Sequence, residues 1–173
     1  TVSASVHAEP AAPGTARYVA PAGSDAGNIC TEPASPCSSI SHALAVAGTG
    51  DLVRVAEGIY SGAMAEPGTV GFYSATVVLT KPVASLWGGY SADFSARDPA
   101  AHETVLDAGD GGAKFVLFMA GVDTVVDGFT MRGATGACPT DCAVLQFVGG
   151  AVLVNGGAPT LSHNRIVGNR AYY

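Results

Sequence analysis

Two stretches of this chain, TVVDGFTMRG (124–133) and PTLSHNRIVGN (159–169), carry the same spacing of apolar residues. In each stretch two apolar residues lie five positions apart, and a glycine follows two positions later. The corresponding residues are Val126 and Leu161, Met131 and Ile166, and Gly133 and Gly168. The two stretches are therefore copies of one imperfect repeat, 35 residues apart.

A shorter third copy, TVLDAG (104–109), superposes on TVVDGF (124–129) at an offset of 20 residues, with Asp107 on Asp127. One such β-type unit cannot bury its apolar face alone, so recurring copies predict a chain that winds and stacks on itself. In such a coil each turn pairs with the next, and like residues stack.

The stretch SSISHALAVAG (38–48) has the apolar spacing of a short amphipathic helix, with a serine to cap its start and Gly48 to stop it. From Leu52 onward, runs of about five β-prone residues alternate with Gly, Pro, Asn or Asp, which is typical of an all-β protein. An immunoglobulin-like sandwich also has short strands, but it predicts neither the repeat nor a helix ahead of the strands. We therefore predict an all-β parallel solenoid with an N-terminal capping α-helix at about 38–48 and coils from about residue 52 onward.

The opening stretch TVSASVHAEPAAPG (1–14) is rich in small residues and proline and holds a single carboxylate. We expect residues 1–16 to be disordered or extended and residues 17–173 to form one domain. The repeat is still running at residue 173 without the polar terminal cap that a solenoid needs. We therefore expect further coils beyond it, or another subunit that stacks on this end.

The charge of the chain excludes some partners. Fourteen carboxylates stand against eight lysines and arginines, which gives a formal net charge of -6. This balance argues against nucleic acid or an anionic membrane surface as a partner. No apolar run reaches the roughly 18 residues that a bilayer requires, so no membrane span is predicted.

The four cysteines fall into two close pairs, Cys30/Cys37 and Cys138/Cys142, each within a stretch typical of a surface loop. A structural zinc site is the alternative, but neither spacing is CxxC and no histidine lies beside either pair. We therefore predict two disulfides and, with them, a secreted or cell-surface location. No metal and no cofactor are predicted.

Three longer stretches resemble a known family. CSSISHALAVAGTGDLVRVAEGIYSG (37–62) resembles its cap helix and first coil. SLWGGYSADFSARDPAAHETVLDAG (85–109) resembles its glycine-rich turn, its Arg-Asp-Pro loop and the strand that follows. The family is the right-handed parallel β-helix of the pectin-lyase type, found in large bacterial surface and secreted proteins, and GGAVLVNGGAPTLSHNRIVGNRA (149–171) is similar to polymorphic outer-membrane protein repeats. The resemblance implies a right-handed β-helix but no single activity, because this architecture carries lyases, hydrolases, adhesins and phage fibres.

Four aspartates, Asp107, Asp110, Asp123 and Asp127, form the first candidate site. If the 20-residue offset is one coil, Asp107 stacks on Asp127, and stacked carboxylates can bind calcium or act as an acid/base pair. Aspartate before Gly or Ala also caps backbone amides at a bend, and the next copy of the repeat has Ser162 at this position. We favour the capping role.

The second candidate site is His163 with Arg132, Arg165 and Arg170, which can supply the base and the charge neutraliser of a polysaccharide lyase. Alternation along 161–167 places His163 and Arg165 on one face of a strand. We favour exposed polar side chains without a catalytic role.

Asparagines recur at the predicted turns, at Asn155, Asn164 and Asn169. Asparagine tolerates left-handed conformations, and its amide can hydrogen-bond to stacked copies of itself. We predict that these three residues are structural, either in turns or in a side-chain ladder.

Aromatic residues offer a third candidate site, because rings on an exposed face can stack on sugars. Those near the Gly-Gly turn are Trp87, Tyr90 and Phe94, with Tyr60, Phe72 and Tyr73 nearby in the sequence. A large aromatic residue in a chain of small residues is more often part of the core, which is the role we favour.

No Ser/His/Asp order, phosphate-binding loop or HExxH element is present in the sequence, and no catalytic residue is predicted. The predicted function is that of a secreted or cell-surface structural or adhesive protein that self-associates through its ends. It presents loops 61–75, 91–103 and 134–148 from a rigid scaffold to a glycan or cell-surface ligand.

The alternative function is a carbohydrate-active enzyme, a polysaccharide lyase or glycoside hydrolase. Its participants would be Asp107, Asp127, His163 and Arg165.

Overall fold

Strands form along the β-prone runs of the sequence and end near glycine, proline or asparagine. The computed structural model describes residues 14–65, 74–109, 112–136 and 150–171. Its elements, in chain order, are β1 (Ala16–Val19), α1 (Ile40–Val46), β2 (Leu52–Ala56), β3 (Gly58–Ser61), β4 (Met64–Ala65), β5 (Ser74–Leu79), β6 (Ser85–Tyr90), β7 (Thr104–Asp107), β8 (Phe115–Ala120), β9 (Val125–Asp127), β10 (Phe129–Arg132), β11 (Val152–Asn155), β12 (Thr160–Ser162) and β13 (Arg165–Ile166).

The helix α1 lies inside the stretch predicted to be helical, but it is shorter than predicted because it already ends at Val46. Ser39 caps its start, since the Ser39 hydroxyl accepts a hydrogen bond from the backbone N–H of His42 at 3.1 Å. The helix packs against β1, β2 and β5. Its buried side chains are Ile40, Ala43 and Leu44. In the described part of the chain, no helix has the length and apolar character needed to cross a membrane.

The strands form three sheets. The first sheet has the order β1-β2-β6-β9-β12, the second β3-β7-β10-β13 and the third β4-β5-β8-β11. Among the described strands, neighbours pair in parallel except β4 and β5, which are antiparallel. Successive strands from β5 onward visit the third, first and second sheets in turn.

The 35-residue repeat corresponds to strand pairing. Val126 is the register partner of Leu161 in the first sheet, and Met131 is the partner of Ile166 in the second. The copies therefore lie side by side, and matching apolar residues stack because the register keeps them on one face.

The 20-residue offset does not correspond to pairing, and the predicted stacking of Asp107 on Asp127 is wrong. Asp107 ends β7 in the second sheet and pairs with Arg132, whereas Asp127 ends β9 in the first sheet and pairs with Ser162. Both segments are strands that end at a bend, and this local similarity gave the sequence match.

Alternation along the strands places every second side chain in a core that the three sheets share. Fully buried core residues are Val53, Leu86 and Val126 from the first sheet, Leu106 and Met131 from the second, and Leu117 and Met119 from the third. A smaller cluster that includes Phe115 and Phe118 packs on the other face of the third sheet. At the last strands the core becomes exposed, since Leu161 is 40% and Ile166 49% accessible.

The predicted fold class, an all-β right-handed parallel β-helix (solenoid) with an N-terminal capping α-helix, is wrong. The described residues form three mostly parallel sheets with a short helix, and no closed solenoid is detected among them, which indicates an α/β fold. Parallel sheets buried on both faces are characteristic of α/β proteins. The sequence repeat determines which strands pair within a sheet. It contains no information on whether the three sheets close into a solenoid, and the predicted solenoid therefore had no support from the repeat.

Candidate functional site

Asp127 is the centre of a buried polar cluster that joins three separate parts of the chain. Val126 points into the core, so the next residue of β9 points to the opposite face of the first sheet. Gly128 follows with φ +81°, and a Cβ at this position would meet Cγ of Pro99 at 2.9 Å. Glycine is therefore required at this bend, and the bend holds Asp127 against loop 91–103.

Three side chains converge on the Asp127 carboxylate, which is only 2% exposed. Oδ2 accepts hydrogen bonds from the Ser162 hydroxyl at 2.6 Å and from Nδ1 of His163 at 2.7 Å. Oδ1 pairs with the Arg97 guanidinium. Burial alone would raise the pKa of Asp127, but the hydrogen bonds from His163, Ser162 and Arg97 and the charge of Arg97 outweigh it and lower the pKa. Asp127 is therefore an ionised acceptor at neutral pH, and His163 donates through Nδ1.

Arg97 links this carboxylate to the aromatic residues of the first sheet. Its guanidinium lies 4.3 Å from the centre of the Trp87 ring, and its Nε donates to the Gly88 carbonyl at 3.0 Å. The loop that carries Arg97 therefore lies across the outer face of β6.

The aromatic residues near the Gly-Gly turn do not form an exposed platform. Trp87 and Tyr90 are 4% and 6% exposed, and the Phe94 ring packs edge-on against Tyr18 at 5.0 Å. Tyr60 is also buried, which raises its pKa, and its hydroxyl donates to the Ala56 carbonyl at 3.0 Å. The core role favoured from the sequence is confirmed for Trp87, Tyr90 and Tyr60.

A cavity of about 320 Å³ lies beside the Asp127 cluster. Its polar lining comes from Glu103, Thr130, His163 and Arg165. The Thr130 hydroxyl donates to Oε1 of Glu103 at 2.8 Å, and Nη1 of Arg165 lies 3.8 Å from the same oxygen. The cavity therefore combines an imidazole, a guanidinium and a carboxylate at an accessible surface.

The other predicted aspartates lie elsewhere. Asp107 pairs with Nε of Arg132 at 2.6 Å and accepts the backbone N–H of Gly109 at 3.0 Å. Asp123 accepts the backbone N–H of Ala158 at 2.7 Å. The contact with Gly109 confirms the capping role for Asp107, whereas Asp123 binds an amide 35 residues away. Asp127, for which capping was also favoured, is instead bonded by three side chains. The described aspartates do not gather at one calcium site or acid/base pair.

The asparagines bind backbone groups of the preceding repeat and do not form a ladder of stacked amides. Asn164 accepts the N–H of Phe129 at 2.9 Å and donates to the Val126 carbonyl at 2.8 Å. Asn169 does the same with Ala134 and Met131. The structural role predicted for Asn164 and Asn169 is confirmed.

One predicted disulfide, between Cys30 and Cys37, is present. His42 lies next to it, although the sequence analysis placed no histidine beside either cysteine pair. The first turn of α1 returns His42 to the cysteine loop, and this contact cannot be read from the separation of the residues along the chain.

Several predicted residues lie outside the described part of the chain. They are Cys138, Cys142, Asp110, Phe72 and Tyr73, with most of the loops 61–75 and 134–148.

Sequence reasoning also missed Arg97, Ser162 and Glu103 as partners of the predicted site. Arg97 lies in the Arg-Asp-Pro stretch that was noted in the sequence, but only its position over Trp87 reveals its role.

In comparisons of this chain with protein-family models, curated proteins and solved structures, no match was found. The resemblance to pectin-lyase-type repeat proteins therefore stays a prediction.

Proposed function

We propose that this chain is a structural or adhesive protein of the cell surface or the extracellular space. It presents loop 91–103 and the adjoining cavity from a rigid framework of parallel sheets. The proposal is supported by the cysteine pair Cys30/Cys37, because a structural disulfide suits an oxidising compartment.

The observation that carries the proposal is the bonding of Asp127. A catalytic acid at neutral pH needs a carboxyl whose pKa is raised, whereas the pKa of Asp127 is lowered. Its partners Arg97 and Ser162 come from a loop and a neighbouring strand, so the cluster joins parts of the fold. This bonding favours a role for the carboxylate in holding the surface together.

Self-association belongs to the same proposal. Among the described strands, β12 and β13 lie at the edges of their sheets and expose Leu161 and Ile166, and a second copy that stacks there would cover them. Sedimentation of the purified chain at increasing concentration tests this part, and a monomer at all concentrations would contradict it.

A second candidate function is a carbohydrate-active enzyme, a lyase or glycoside hydrolase. It is favoured by one observation: His163, oriented by the Asp127 carboxylate, lines the same cavity as Glu103 and Arg165. An imidazole held by a carboxylate is a common arrangement for a general base.

A glycan panel distinguishes the two candidates. Arg170 was part of the second candidate site, but it is exposed and does not line the cavity, so Arg170→Ala serves as the control. The wild-type chain, His163→Ala and Arg170→Ala are each tested for binding and for shortening of the glycan chains. The structural or adhesive proposal predicts binding to a glycan or to cell surfaces with unchanged chain lengths. Shortened chains with wild type and Arg170→Ala but not with His163→Ala would establish the enzyme and overturn the proposal. Absence of binding to every glycan and cell surface would contradict the adhesive role.

A further inference from the structure

The loop before α1 gathers three side chains that are common metal ligands. Sγ of Cys30, Sγ of Cys37 and a ring nitrogen of His42 all lie within 4.8 Å of one another. Both cysteines are fully buried, and His42 is half-buried. Two sulfurs and an imidazole nitrogen form a donor set that zinc prefers.

A fourth donor is already in place. The backbone carbonyl of Asn28 lies 2.7 Å from Nε2 of His42 and 3.9 Å from Sγ of Cys37. The Asn28 side chain fixes this carbonyl, because its Nδ2 donates to the carbonyls of Ser24, Ser35 and Pro36. Its Oδ1 accepts the backbone N–H of Cys30 at 2.8 Å.

The backbone around both cysteines is held by bonds other than the disulfide. The N–H of Tyr18 donates to the Cys30 carbonyl at 2.7 Å, and the N–H of Cys37 donates to the Tyr18 carbonyl at 2.9 Å. The N–H of Ala20 donates to the Cys37 carbonyl at 2.9 Å. Both cysteines are thereby tied to β1 and its continuation, so these backbone bonds remain when the sulfur bridge is reduced, and only the side chains need to move.

We propose that the reduced form of this loop binds one zinc ion through Cys30, Cys37 and Nε2 of His42, with the Asn28 carbonyl as fourth ligand. Two equivalents of a thiol reductant reduce the Cys30–Cys37 disulfide to two thiols, and the reductant is itself oxidised to a disulfide. Zinc then displaces one proton from each thiol, and the imidazole proton moves from Nε2 to Nδ1 by exchange with water, so that the lone pair of Nε2 binds the metal in place of its hydrogen bond to the Asn28 carbonyl. The same loop is closed by a disulfide in oxidising surroundings and by a metal in reducing ones.

Tetrahedral geometry fits the observed spacing. Zinc lies about 2.3 Å from sulfur and about 2.0 Å from nitrogen, so its ligand atoms are roughly 3.3–3.8 Å apart. The three donor atoms already lie within 4.8 Å, and the two sulfurs need to separate once their bond is broken. The site therefore requires side-chain adjustment within a loop whose backbone is held by hydrogen bonds.

The test uses the full chain with Cys138→Ser and Cys142→Ser, which leaves one cysteine pair. The protein is reduced with a phosphine, freed of oxygen and titrated with Co²⁺, whose thiolate charge-transfer and visible bands report on tetrahedral sulfur ligation. We expect one Co²⁺ per chain in the reduced protein, displacement by Zn²⁺, and no such bands in the oxidised protein.

His42→Ala and the matched control His102→Ala test the ligand set. We expect His42→Ala to weaken the affinity by about tenfold or more, since even loss of an outer-shell partner costs 10- to 100-fold, and His102→Ala to leave it unchanged. Absence of the bands in the reduced protein, or equal affinity in His42→Ala, would overturn the proposal. If the reduced protein unfolds, its circular dichroism spectrum is measured with and without Zn²⁺. The proposal predicts that Zn²⁺ restores the spectrum of the folded protein, and a spectrum that stays unfolded would also overturn it.

Discussion

At the scale of single residues, two asparagines five positions apart make the same pair of hydrogen bonds. Each accepts the backbone N–H 35 residues earlier and donates to the carbonyl 38 residues earlier, which for Asn164 are Phe129 and Val126. Asn169 repeats the geometry with Ala134 and Met131. The amides therefore satisfy backbone groups at bends where the strand ladder stops.

We expect Asn164→Ala to lower the free energy of unfolding by about 1–3 kcal/mol, because it leaves the Phe129 N–H and the Val126 carbonyl unsatisfied. Asn155→Ala is the control, since Asn155 is exposed on β11 and its substitution should change the stability by less than about 0.5 kcal/mol. Urea unfolding of both variants measures the difference. Equal stabilities would mean that water replaces the Asn164 amide at no cost.

The sequence predicted part of this residue-level picture. The spacing of Val126 and Leu161 identified the repeat because apolar residues must keep their register on a buried face. The contact of His42 with Cys30 and Cys37 could not be predicted in the same way, because it depends on how the first turn of α1 packs against an irregular loop. Pairwise proximity across a loop leaves no periodic signal.

At the scale of elements, the loop 91–103 is fixed to the first sheet by stacking and by charge. Arg97 lies over Trp87, and the Phe94 ring packs edge-on against Tyr18 at 5.0 Å. His102 adds a contact to Glu57 at 3.0 Å. These contacts cover the outer face of the first sheet with a loop that has no regular secondary structure.

Trp87 is the one tryptophan of the chain, so its fluorescence reports on the packing of loop 91–103 against the first sheet. We expect Arg97→Ala to shift the emission to longer wavelength and to increase quenching by acrylamide, because the ring loses the guanidinium above it. The exposed Arg170 supplies the control, and Arg170→Ala should leave both signals unchanged. An unchanged spectrum in Arg97→Ala would show that the loop does not depend on this contact.

The sequence predicted the positions of single strands and of the helix, but not how the strands are arranged in sheets. Strands and a helix were expected near their observed places because apolar period and turn residues are local properties. The match of Asp107 to Asp127 was misleading, because β7 and β9 both end in an aspartate followed by a bend but belong to different sheets. Closure of the sheets is a long-range property, and a repeat of short segments could not predict it.

At the scale of the whole molecule, carboxylates tie connecting segments to one another and to the first sheet. Asp25 accepts the N–H groups of Ser38 and Ser39 ahead of α1, and Asp51 binds Arg17. For Asp25, Asp51 and Asp127, burial would raise the pKa, but hydrogen bonds outweigh it and the pKa is lowered. The folded chain therefore depends on these groups being ionised.

The most direct test of this account is the free energy of unfolding of Asp127→Asn and wild type between pH 7 and pH 3. A group whose pKa is lowered on folding stabilises the fold above its unfolded value, 3.8 for aspartate, and loses that effect as the pH falls through its folded pKa. We predict that Asp127→Asn is less stable than wild type by about 3 kcal/mol at pH 7, because Arg97 is left without its buried partner, and that the difference shrinks towards pH 3. Equal or greater stability of Asp127→Asn at pH 7 would contradict a structural role, since carboxylates retained for function commonly cost stability.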